Sequence, residues 1–342
     1  MRVSVLHGVG DVRLEERADP VPGPAQVMVR VESVGVCGSD VHYYEHGRVG
    51  SHVVEQPMVL GHEAAGIVAA VGPGVTRVRV GDRVSLEPGI PDLTCEQCLA
   101  GRYNLCPAMR FYATPPVDGA FAELVLSHES FTHPVPDSMD LDRAALLEPV
   151  SVAVWACRKA GVTAGDRVLV TGAGPVGLIA LQVARAFGAV EVTVTDVNPH
   201  RLAVASALGA SHAVDSRVTG TRAGADAAAG SEPTVLIDCS GHPAAVVAGL
   251  LALAPAGRAV LVGMGADEVA LPVSRIQERE LTVTGTFRYA NTWPTAIALV
   301  ASGQVDLGPL VTGHFGLADA EAALTAARTD PAALKSVVQP NR

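Results

Sequence analysis

The sequence predicts an α/β protein in which a β-rich N-terminal part is followed by a doubly wound parallel sheet. Two observations carry this prediction. Short apolar segments separated by turns fill the first 150 residues, and strand and helix patterns alternate from about residue 160 onward. The chain has 342 residues, of which 49% are hydrophobic, so it is long enough for about two domains with cores of their own.

The first part has the pattern of a bent β unit with long loops. Residues 27–34 alternate roughly between apolar and polar side chains, and residues 66–71 and 83–86 are short apolar segments. Turns rich in glycine and proline, such as residues 72–74, separate these segments. Each segment is therefore predicted to be a strand.

The second part alternates strands and helices in the order that builds a parallel sheet. A polar stretch of small residues, 216–232, is predicted to form a surface loop or a weak helix. The predicted strands are 167–171, 191–196, 234–238 and 258–263, and the predicted helices are 175–188, 198–209 and 243–254.

The charge and the lysine content exclude several functions. A net charge of −10 argues against sequence-independent binding of nucleic acid or of an anionic membrane surface. Lys159 and Lys335 are the only lysines, neither follows a glycine, and Trp155 and Pro331 stand four residues before them. This excludes a phosphate loop ending in Gly-Lys and the Tyr-x-x-x-Lys catalytic pattern. We expect neither lysine to take part in the chemistry.

The N-terminal residues lack the long apolar stretch of a signal peptide. The longest uncharged apolar stretch, 168–184, contains three glycines and a proline, which is typical of a strand, a turn and a helix rather than a membrane span. Closely spaced cysteines without a secretion signal favour metal binding over disulfides. We therefore expect a cytoplasmic protein with no nucleic-acid or membrane partner.

A glycine-rich turn predicts a dinucleotide site. Gly172, Gly174 and Gly177 form a GxGxxG pattern between a predicted strand and a predicted helix, which is the context that the dinucleotide fingerprint requires. Asp196 ends the next strand and could bind both ribose hydroxyls while repelling a 2′-phosphate. This favours NAD, although Arg201, a turn further on, could accommodate the phosphate of NADP. A turn with only a structural role is the alternative.

Two segments of the first part carry metal-binding side chains. Cys37 precedes a short polar segment, and His62 and Glu63 are adjacent. Zinc accepts sulfur, imidazole and carboxylate ligands, and a catalytic zinc site leaves one position open. Glu148 stands just ahead of the second part and could face the same site, so either glutamate could be the direct ligand. Without a metal these residues would be ordinary packed side chains.

Seven segments carry a resemblance to a known family: CGSDVHYY, GHEAAGIVAAVGPGV, GDRVSLEPG, GRYNLC, LLEPVSVAVWACR, TGAGPVG and FRYANTWP. They resemble the zinc-dependent medium-chain alcohol dehydrogenases and, within these, the polyol branch of sorbitol and xylitol dehydrogenases. The resemblance covers essentially the whole chain. It implies a GroES-like catalytic domain of residues 1–149 and 286–342, and a Rossmann NAD-binding domain of residues 150–285.

The resemblance also implies roles for individual residues. Cys37, His62 and Glu63 would bind the catalytic zinc, with Glu148 on the metal or beside it. Ser39 and His42 match a proton relay to solvent, and Tyr43, Glu148, Arg288 and Tyr289 match substrate-contacting positions. Besides the three glycines of the turn, the residues that match NAD contacts are Val176, Asp196, Arg201, Val262, Gly263, Met264, Thr286, Phe287 and Arg288.

The activity implied is oxidation of a secondary hydroxyl of a polyol to a ketose by zinc and NAD. Zinc would polarise the hydroxyl and the nicotinamide would accept the hydride. Two alternatives remain open. The substrate could be another hydroxyl compound, such as an aldose, threonine or an inositol derivative, or the chain could be a catalytically silent NAD-binding protein. A homotetramer is implied by the resemblance alone.

A second cluster contains three of the four cysteines of a structural zinc site. Cys95, Cys98 and Cys106 match three of the four cysteines that the family places there, and Asp92 stands at the fourth position. A carboxylate is an acceptable zinc ligand, so a closed site of one aspartate and three cysteines is expected. A lobe that has lost its metal and keeps three free thiols is the alternative.

Overall fold

The computed structural model describes residues 1–219 and 232–342 and confirms the α/β class. The chain forms two compact units, one built from Met1–Glu148 and Leu310–Arg342 and the other from Pro149–Pro309. Of the segment predicted as a loop or weak helix, Ser216–Thr219 is a short helix, and residues 220–231 lie outside the described residues. Within the described ranges, no helix is both long and apolar enough to cross a membrane.

The strands are numbered along the chain. They are β1 (Arg2–Gly8), β2 (Asp11–Glu16), β3 (Gln26–Gly35), β4 (Arg48–Val49), β5 (His52–Val53), β6 (Met58–Val59), β7 (Glu63–Val71), β8 (Arg83–Leu86), β9 (Gly89–Ile90), β10 (Arg110–Phe111), β11 (Leu124–His128), β12 (Thr132–Pro134), β13 (Arg167–Thr171), β14 (Glu191–Asp196), β15 (His212–Asp215), β16 (Val235–Asp238), β17 (Arg258–Leu261), β18 (Thr282–Gly285), β19 (Val311–Phe315) and β20 (Lys335–Val338).

The α-helices of the described residues are numbered in the same way. They are α1 (Gly38–His46), α2 (Glu96–Leu99), α3 (Leu141–Ala145), α4 (Leu147–Ala160), α5 (Pro175–Ala186), α6 (Pro199–Ala207), α7 (Ser216–Thr219), α8 (Pro243–Ala252), α9 (Val273–Glu278), α10 (Trp293–Ala301) and α11 (Ala320–Thr329).

The main sheet of the first unit has the strand order β12-β8-β7-β3-β20-β19, and β11 also pairs with β3. Its pairs are antiparallel except β19 with β20. The predicted alternation over 27–34 is confirmed, since Val27, Val29 and Val31 are fully buried on one face of β3. The C-terminal strand β20 pairs with the end of β3, which brings residues from the two ends of the chain together.

The second unit contains a parallel sheet with the order β15-β14-β13-β16-β17-β18. The predicted strands 167–171 and 191–196 are β13 and β14 with the bounds expected. The inner residues of both strands are buried without a break, as in strands covered on both faces. The sheet places the carboxyl ends of β13, β14 and β16 at one edge, where the glycine-rich turn lies.

The division into units differs from the expected domain boundary at residue 286. In the structure, residues up to Pro309 belong to the second unit. Arg158 of α4 donates hydrogen bonds to the carbonyl of Asn291 and the hydroxyl of Thr295, both at 2.8 Å. Gln182 of α5 is hydrogen-bonded to the backbone of Asp306 through both atoms of its amide. These contacts join two distant segments and have no local signal in the sequence.

Candidate metal and cofactor sites

Cys37, His62 and Glu63 come together in the first unit. Each offers a ligand atom, and these atoms lie within 4.8 Å of one another. His62 and Glu63 are buried, with 7% and 1% exposure, whereas Cys37 is half-buried. One sulfur, one imidazole and one carboxylate, partly open to a fourth ligand, are the donor set of a catalytic zinc. The donor chemistry and spacing therefore fit the metal that the sequence predicts.

Local backbone geometry presents these side chains. Cys37 is the N-cap of α1, and Glu63 is the first residue of β7. Gly61 has φ +86°, which is a conformation that favours glycine, and a β-carbon there would overlap the ring of Phe121. The tight turn at Gly61 thus sets the direction in which His62 and Glu63 leave the backbone.

Asp40, which the sequence analysis missed, ties the two ligand segments together. Its carboxylate is fully buried and accepts the N–H groups of Cys37 and Gly61, each at 2.9 Å. Oδ1 lies 3.6 Å from His62 Nδ1, an electrostatic contact that favours the other ring nitrogen as the metal ligand. The spacing Cys37-x-x-Asp40 is that of a helix capping box, a signal that could have revealed it.

The electrostatics of this group favour a cation. Burial, the largest influence, lowers the pKa of His62, but the charges of Asp40 and Cys37 outweigh it and leave the pKa well above its usual value. Burial raises the pKa of Asp40, and the charge of His62 together with the two backbone N–H groups lowers it below its usual value. A metal ion would replace the proton of His62, since only the neutral ring is a ligand.

Lys335 lies in the same site, a position that the sequence analysis did not predict. Its ammonium donates to Glu63 Oε1 at 2.8 Å, to Glu63 Oε2 at 2.9 Å and to the carbonyl of Val36 at 2.8 Å. Lys335 is 3% exposed and starts β20. Burial lowers its pKa, but the charges of Glu63, Cys37 and Glu148 more than compensate, so the pKa is raised. No local pattern in the sequence predicts this pair.

Glu148, the second predicted acid, is in the first turn of α4 and 5% exposed. Its charge contributes to the raised pKa of Lys335, so both glutamates act on the same ammonium. Of the other residues predicted here, Tyr43 is buried on α1 with 3% exposure, Ser39 is half-buried, and His42 is exposed with its ring 5.7 Å from that of His46. Their roles stay predictions.

The second cysteine cluster also assembles. Ligand atoms of Asp92, Cys95, Cys98 and Cys106 lie within 4.8 Å of one another. Asp92 Oδ1 accepts the N–H groups of Thr94 at 2.8 Å and Cys95 at 2.9 Å, which lower the pKa of Asp92 to about 2. Desolvation, followed by hydrogen bonds with the other three side chains, raises the pKa of Cys98 to about 12. Three sulfurs and one carboxylate fit a closed zinc site.

The glycine-rich turn of the second unit has the predicted geometry. It joins β13 to α5, and Gly172 has φ +89°. A β-carbon on Gly177 would overlap the carbonyl oxygen of Gly172, whereas one on Gly174 would meet no atom within 4 Å. The first glycine therefore makes the turn and the third allows close packing, while the second leaves space above the helix N-terminus, which is where a pyrophosphate binds.

Asp196 ends β14 and is anchored to this turn. Its Oδ2 accepts the N–H of Ala173 at 2.6 Å, and its Oδ1 accepts that of Asn198 at 2.7 Å. Asp215 is opposite Asp196 in the neighbouring strand and holds Arg217 through both oxygens, at 3.0 and 2.6 Å. Gly172, Asp196 and Arg217 contribute to the lining of a cavity of about 300 Å³. The cavity lies where the ribose and adenine of a dinucleotide are expected.

The remaining predicted cofactor contacts follow β17 and β18 or lie on helices of the same unit. The N–H groups of Val262 and Gly263 bond to the carbonyl of Asp238, at 2.8 and 2.9 Å. A β-carbon on Gly263 would overlap the backbone N of Gly241, so two loops approach closely there. Met264 is 58% exposed. Val176 is in the first turn of α5, Arg201 is on α6, and Thr286 bonds to Leu261 through its N–H at 3.1 Å.

Residues 287–289, which were expected to contact the cofactor or the substrate, follow β18. The Arg288 guanidinium lies over the Phe287 ring, 4.7 Å from its centroid, and Phe287 is 50% exposed. Tyr289 is 2% exposed and packs edge-on against Trp293, with ring centroids 5.3 Å apart. The cofactor and substrate roles of all three residues stay predictions.

Comparison with known proteins gives matches for both parts of the chain. Residues 23–137 match the alcohol dehydrogenase GroES-like domain, and residues 175–302 match the zinc-binding dehydrogenase domain. Sorbitol dehydrogenase from Gallus gallus is 46% identical over 316 residues, which is 92% of this chain and 89% of that protein. Sorbitol dehydrogenase from Homo sapiens is 45% identical over 316 residues, or 92% of this chain and 88% of that protein.

A solved structure from Escherichia coli shows the same fold. It is an oxidoreductase/dehydrogenase of unknown specificity involved in membrane biogenesis, and it is 34% identical with a TM-score of 0.94 over 99% of this chain and 98% of that one. The GroES-like and zinc-binding dehydrogenase domains, the two metal-ligand groups and the identity to sorbitol dehydrogenases over most of the sequence lead to one conclusion. This chain belongs to the zinc-binding dehydrogenases, in the family of the sorbitol dehydrogenases.

Proposed function

We propose that this chain oxidises a secondary hydroxyl of a polyol to a ketose and transfers the hydride to NAD at a zinc site formed by Cys37, His62 and a carboxylate. The observation that carries the proposal is the buried group of one sulfur, one imidazole and one carboxylate in a chain that is 45–46% identical to sorbitol dehydrogenases. Sorbitol, xylitol or a similar polyol is the expected substrate.

The ion and the protein would contribute different parts of the metal chemistry. Bound zinc would supply a Lewis acid that lowers the pKa of a substrate hydroxyl, as it does for water, to ~7. Cys37 and His62 would hold the ion, and Asp40 would fix the orientation of His62. Glu63 and Glu148 would supply the remaining negative charge, with Lys335 as their counter-ion.

The proton and the hydride take separate routes in this proposal. Bound NAD would supply the hydride acceptor, a chemistry that no side chain offers. Ser39 and His42 pass the hydroxyl proton toward water, and the exposure of the His42 ring supports the last step of that relay. Tyr43 and Arg288 would bind other hydroxyls of the polyol. A simple alcohol would leave such groups unpaired and would be a poor substrate.

NAD is the favoured cofactor because of the charge near the ribose. Asp196 lines the cavity, and Arg217, which also lines it, is paired with Asp215. A 2′-phosphate would meet the carboxylate of Asp196 there, while a free 2′-hydroxyl can donate to it. The preference for NAD over NADP follows from this arrangement.

The proposal is tested with a panel of polyols, simple alcohols, threonine and aldoses, each with NAD and with NADP. We expect formation of reduced cofactor with sorbitol or xylitol and NAD, at a kcat/KM roughly 100-fold or more above that for a simple alcohol. Turnover of threonine or an aldose alone would assign the chain to another substrate class. No turnover with any compound by zinc-loaded protein would favour a silent NAD-binding protein.

The lobe of Asp92, Cys95, Cys98 and Cys106 is proposed to hold a second, structural zinc. We expect about two zinc ions per chain in purified protein, because each group supplies a complete donor set. Cys98→Ser should reduce this to about one and lower the unfolding temperature while the catalytic zinc stays. About one zinc in the unaltered protein, with none lost on Cys98→Ser, would show that the lobe is empty.

Two further predictions concern the protein in the cell. A homotetramer is implied by the resemblance to polyol dehydrogenases, and light scattering on purified protein measures it. A cytoplasmic location is expected from the sequence, and fractionation of cells that express the protein measures it.

A further inference from the structure

Lys335 is a buried lysine whose hydrogen-bonding capacity is fully used. Its ammonium has three donors, and it has three acceptors within 2.9 Å, which are the two oxygens of Glu63 and the carbonyl of Val36. Lysine is almost never buried unless it is paired. Among the residues that the structure describes, Glu63 alone supplies a charge at hydrogen-bonding distance, and it presents both oxygens to the same nitrogen.

Lys335 and Glu63 form their ion pair across an intervening strand. Lys335 starts β20, Glu63 starts β7, and β3 lies between these strands in the sheet. Gly35 is opposite Glu63 in the β3–β7 register, and a β-carbon on Gly35 would overlap Glu63 Oε2. The absence of a side chain at Gly35 therefore gives the carboxylate the space in which it meets Lys335.

The side chain of Glu63 is almost completely shielded from solvent. It is 1% exposed, and Leu146 packs near the same space above Gly35. Its carboxylate belongs both to the ion pair and to the group of ligand atoms with Cys37 and His62. A buried carboxylate needs a cation. When a metal is present, the metal and the Lys335 ammonium would share the carboxylate of Glu63.

We propose that Lys335 is a positioning residue of the zinc site, which competes with the metal for the carboxylate of Glu63 and so keeps Glu63 a weak, displaceable ligand. The inference rests on the proposed zinc function. A weaker carboxylate ligand leaves more positive charge on the metal and a position that a substrate oxygen can take, both of which a catalytic zinc requires.

The test is Lys335→Met, a neutral side chain of similar length, measured by the rate at which zinc-loaded protein releases the catalytic zinc to a chelator. Without the ammonium, the metal is the only cation left for the buried Glu63, so release should slow by about 10- to 100-fold. Turnover should fall at the same time, because the metal loses charge to its ligand. Lys159→Met is the matched control, since it removes the other, exposed lysine, and its release rate should equal that of the unaltered protein.

Glu63→Gln and the double variant Glu63→Gln, Lys335→Met separate competition for the carboxylate from simple charge repulsion. Competition requires Glu63, so adding Lys335→Met to Glu63→Gln should change the release rate by less than about threefold. An equal change in both backgrounds would overturn the inference, and so would faster release from Lys335→Met. If Lys335→Met alone does not fold, the double variant replaces the ion pair by two neutral groups. Its zinc release rate can still be compared with that of Glu63→Gln.

Cobalt in place of zinc gives a second readout. The visible absorption of bound Co²⁺ depends on its ligands. The spectrum of Lys335→Met should therefore differ from that of the unaltered protein. The spectra of Glu63→Gln and of the double variant should be the same. An unchanged spectrum with an unchanged release rate would refute the role of Lys335 while leaving the zinc site intact. Failure of the unaltered protein to bind zinc at Cys37 would instead refute the proposed function.

Discussion

Cys37→Ala is expected to remove the catalytic zinc and to lower turnover by roughly a thousandfold or more. Cys37 supplies the only sulfur of its group, and the remaining ligands are one imidazole and a carboxylate already paired with Lys335. Loss of Lewis-acid stabilisation worth about 4 kcal/mol corresponds to about 10³ in rate. Metal analysis and NADH formation measure the two effects, and NAD affinity measured by fluorescence titration should stay nearly unchanged.

The matched control is Cys157→Ala, which removes a buried thiol of the second unit. It should lower the unfolding temperature but keep the zinc content of the unaltered protein, because its sulfur belongs to neither metal group. Full zinc content and activity in Cys37→Ala would refute the assignment of the metal to this group.

Gly177→Ala is expected to have the converse effect, with NAD affinity reduced and zinc content kept. Its β-carbon would overlap the carbonyl oxygen of Gly172, which is backbone and can give way only if the turn changes shape. Overpacking of this kind costs about 1–3 kcal/mol, so NAD affinity should fall by roughly ten- to a hundredfold. Titration with NAD and metal analysis of the same sample test both parts.

Two other glycines serve as controls for this variant. Gly8→Ala in β1 adds the same methyl group where no atom lies within 4 Å, and it should leave NAD affinity unchanged. Gly174→Ala is equally free of clashes in the protein, so any loss of NAD affinity there reports contact of the methyl group with the cofactor itself. Unchanged NAD affinity in both Gly177→Ala and Gly174→Ala would contradict the placement of the pyrophosphate at this turn.

The cofactor half of the fold was predictable because its signals are local. The strand Arg167–Thr171 has an apolar centre, and Glu191–Asp196 alternates between apolar and polar side chains. The glycines between strand and helix predict the geometry of the turn. The helix α5 ends at Ala186, two residues before the predicted end, since Gly188 takes φ +104° and turns the chain toward the next strand. Turn chemistry and periodicity suffice for this part.

The metal half was predictable in its ligands but not in what surrounds them. Cys37, His62 and Glu63 are recognised by type, whereas Lys335 is 272 residues from Glu63 and reaches it only through the pairing of β20 with β3. A lysine near the C-terminus has no sequence pattern that predicts burial against a carboxylate. The position of residues 286–309 in the second unit depends on long-range bonds of the same kind, from Arg158 and Gln182.

NADH formation from sorbitol, measured on one preparation before zinc removal, after it and after zinc is restored, tests the central claim most directly. The account predicts turnover with NAD in the zinc-loaded protein, loss of turnover after chelation, and recovery when zinc returns. Undiminished sorbitol oxidation by protein shown to contain no zinc would contradict it.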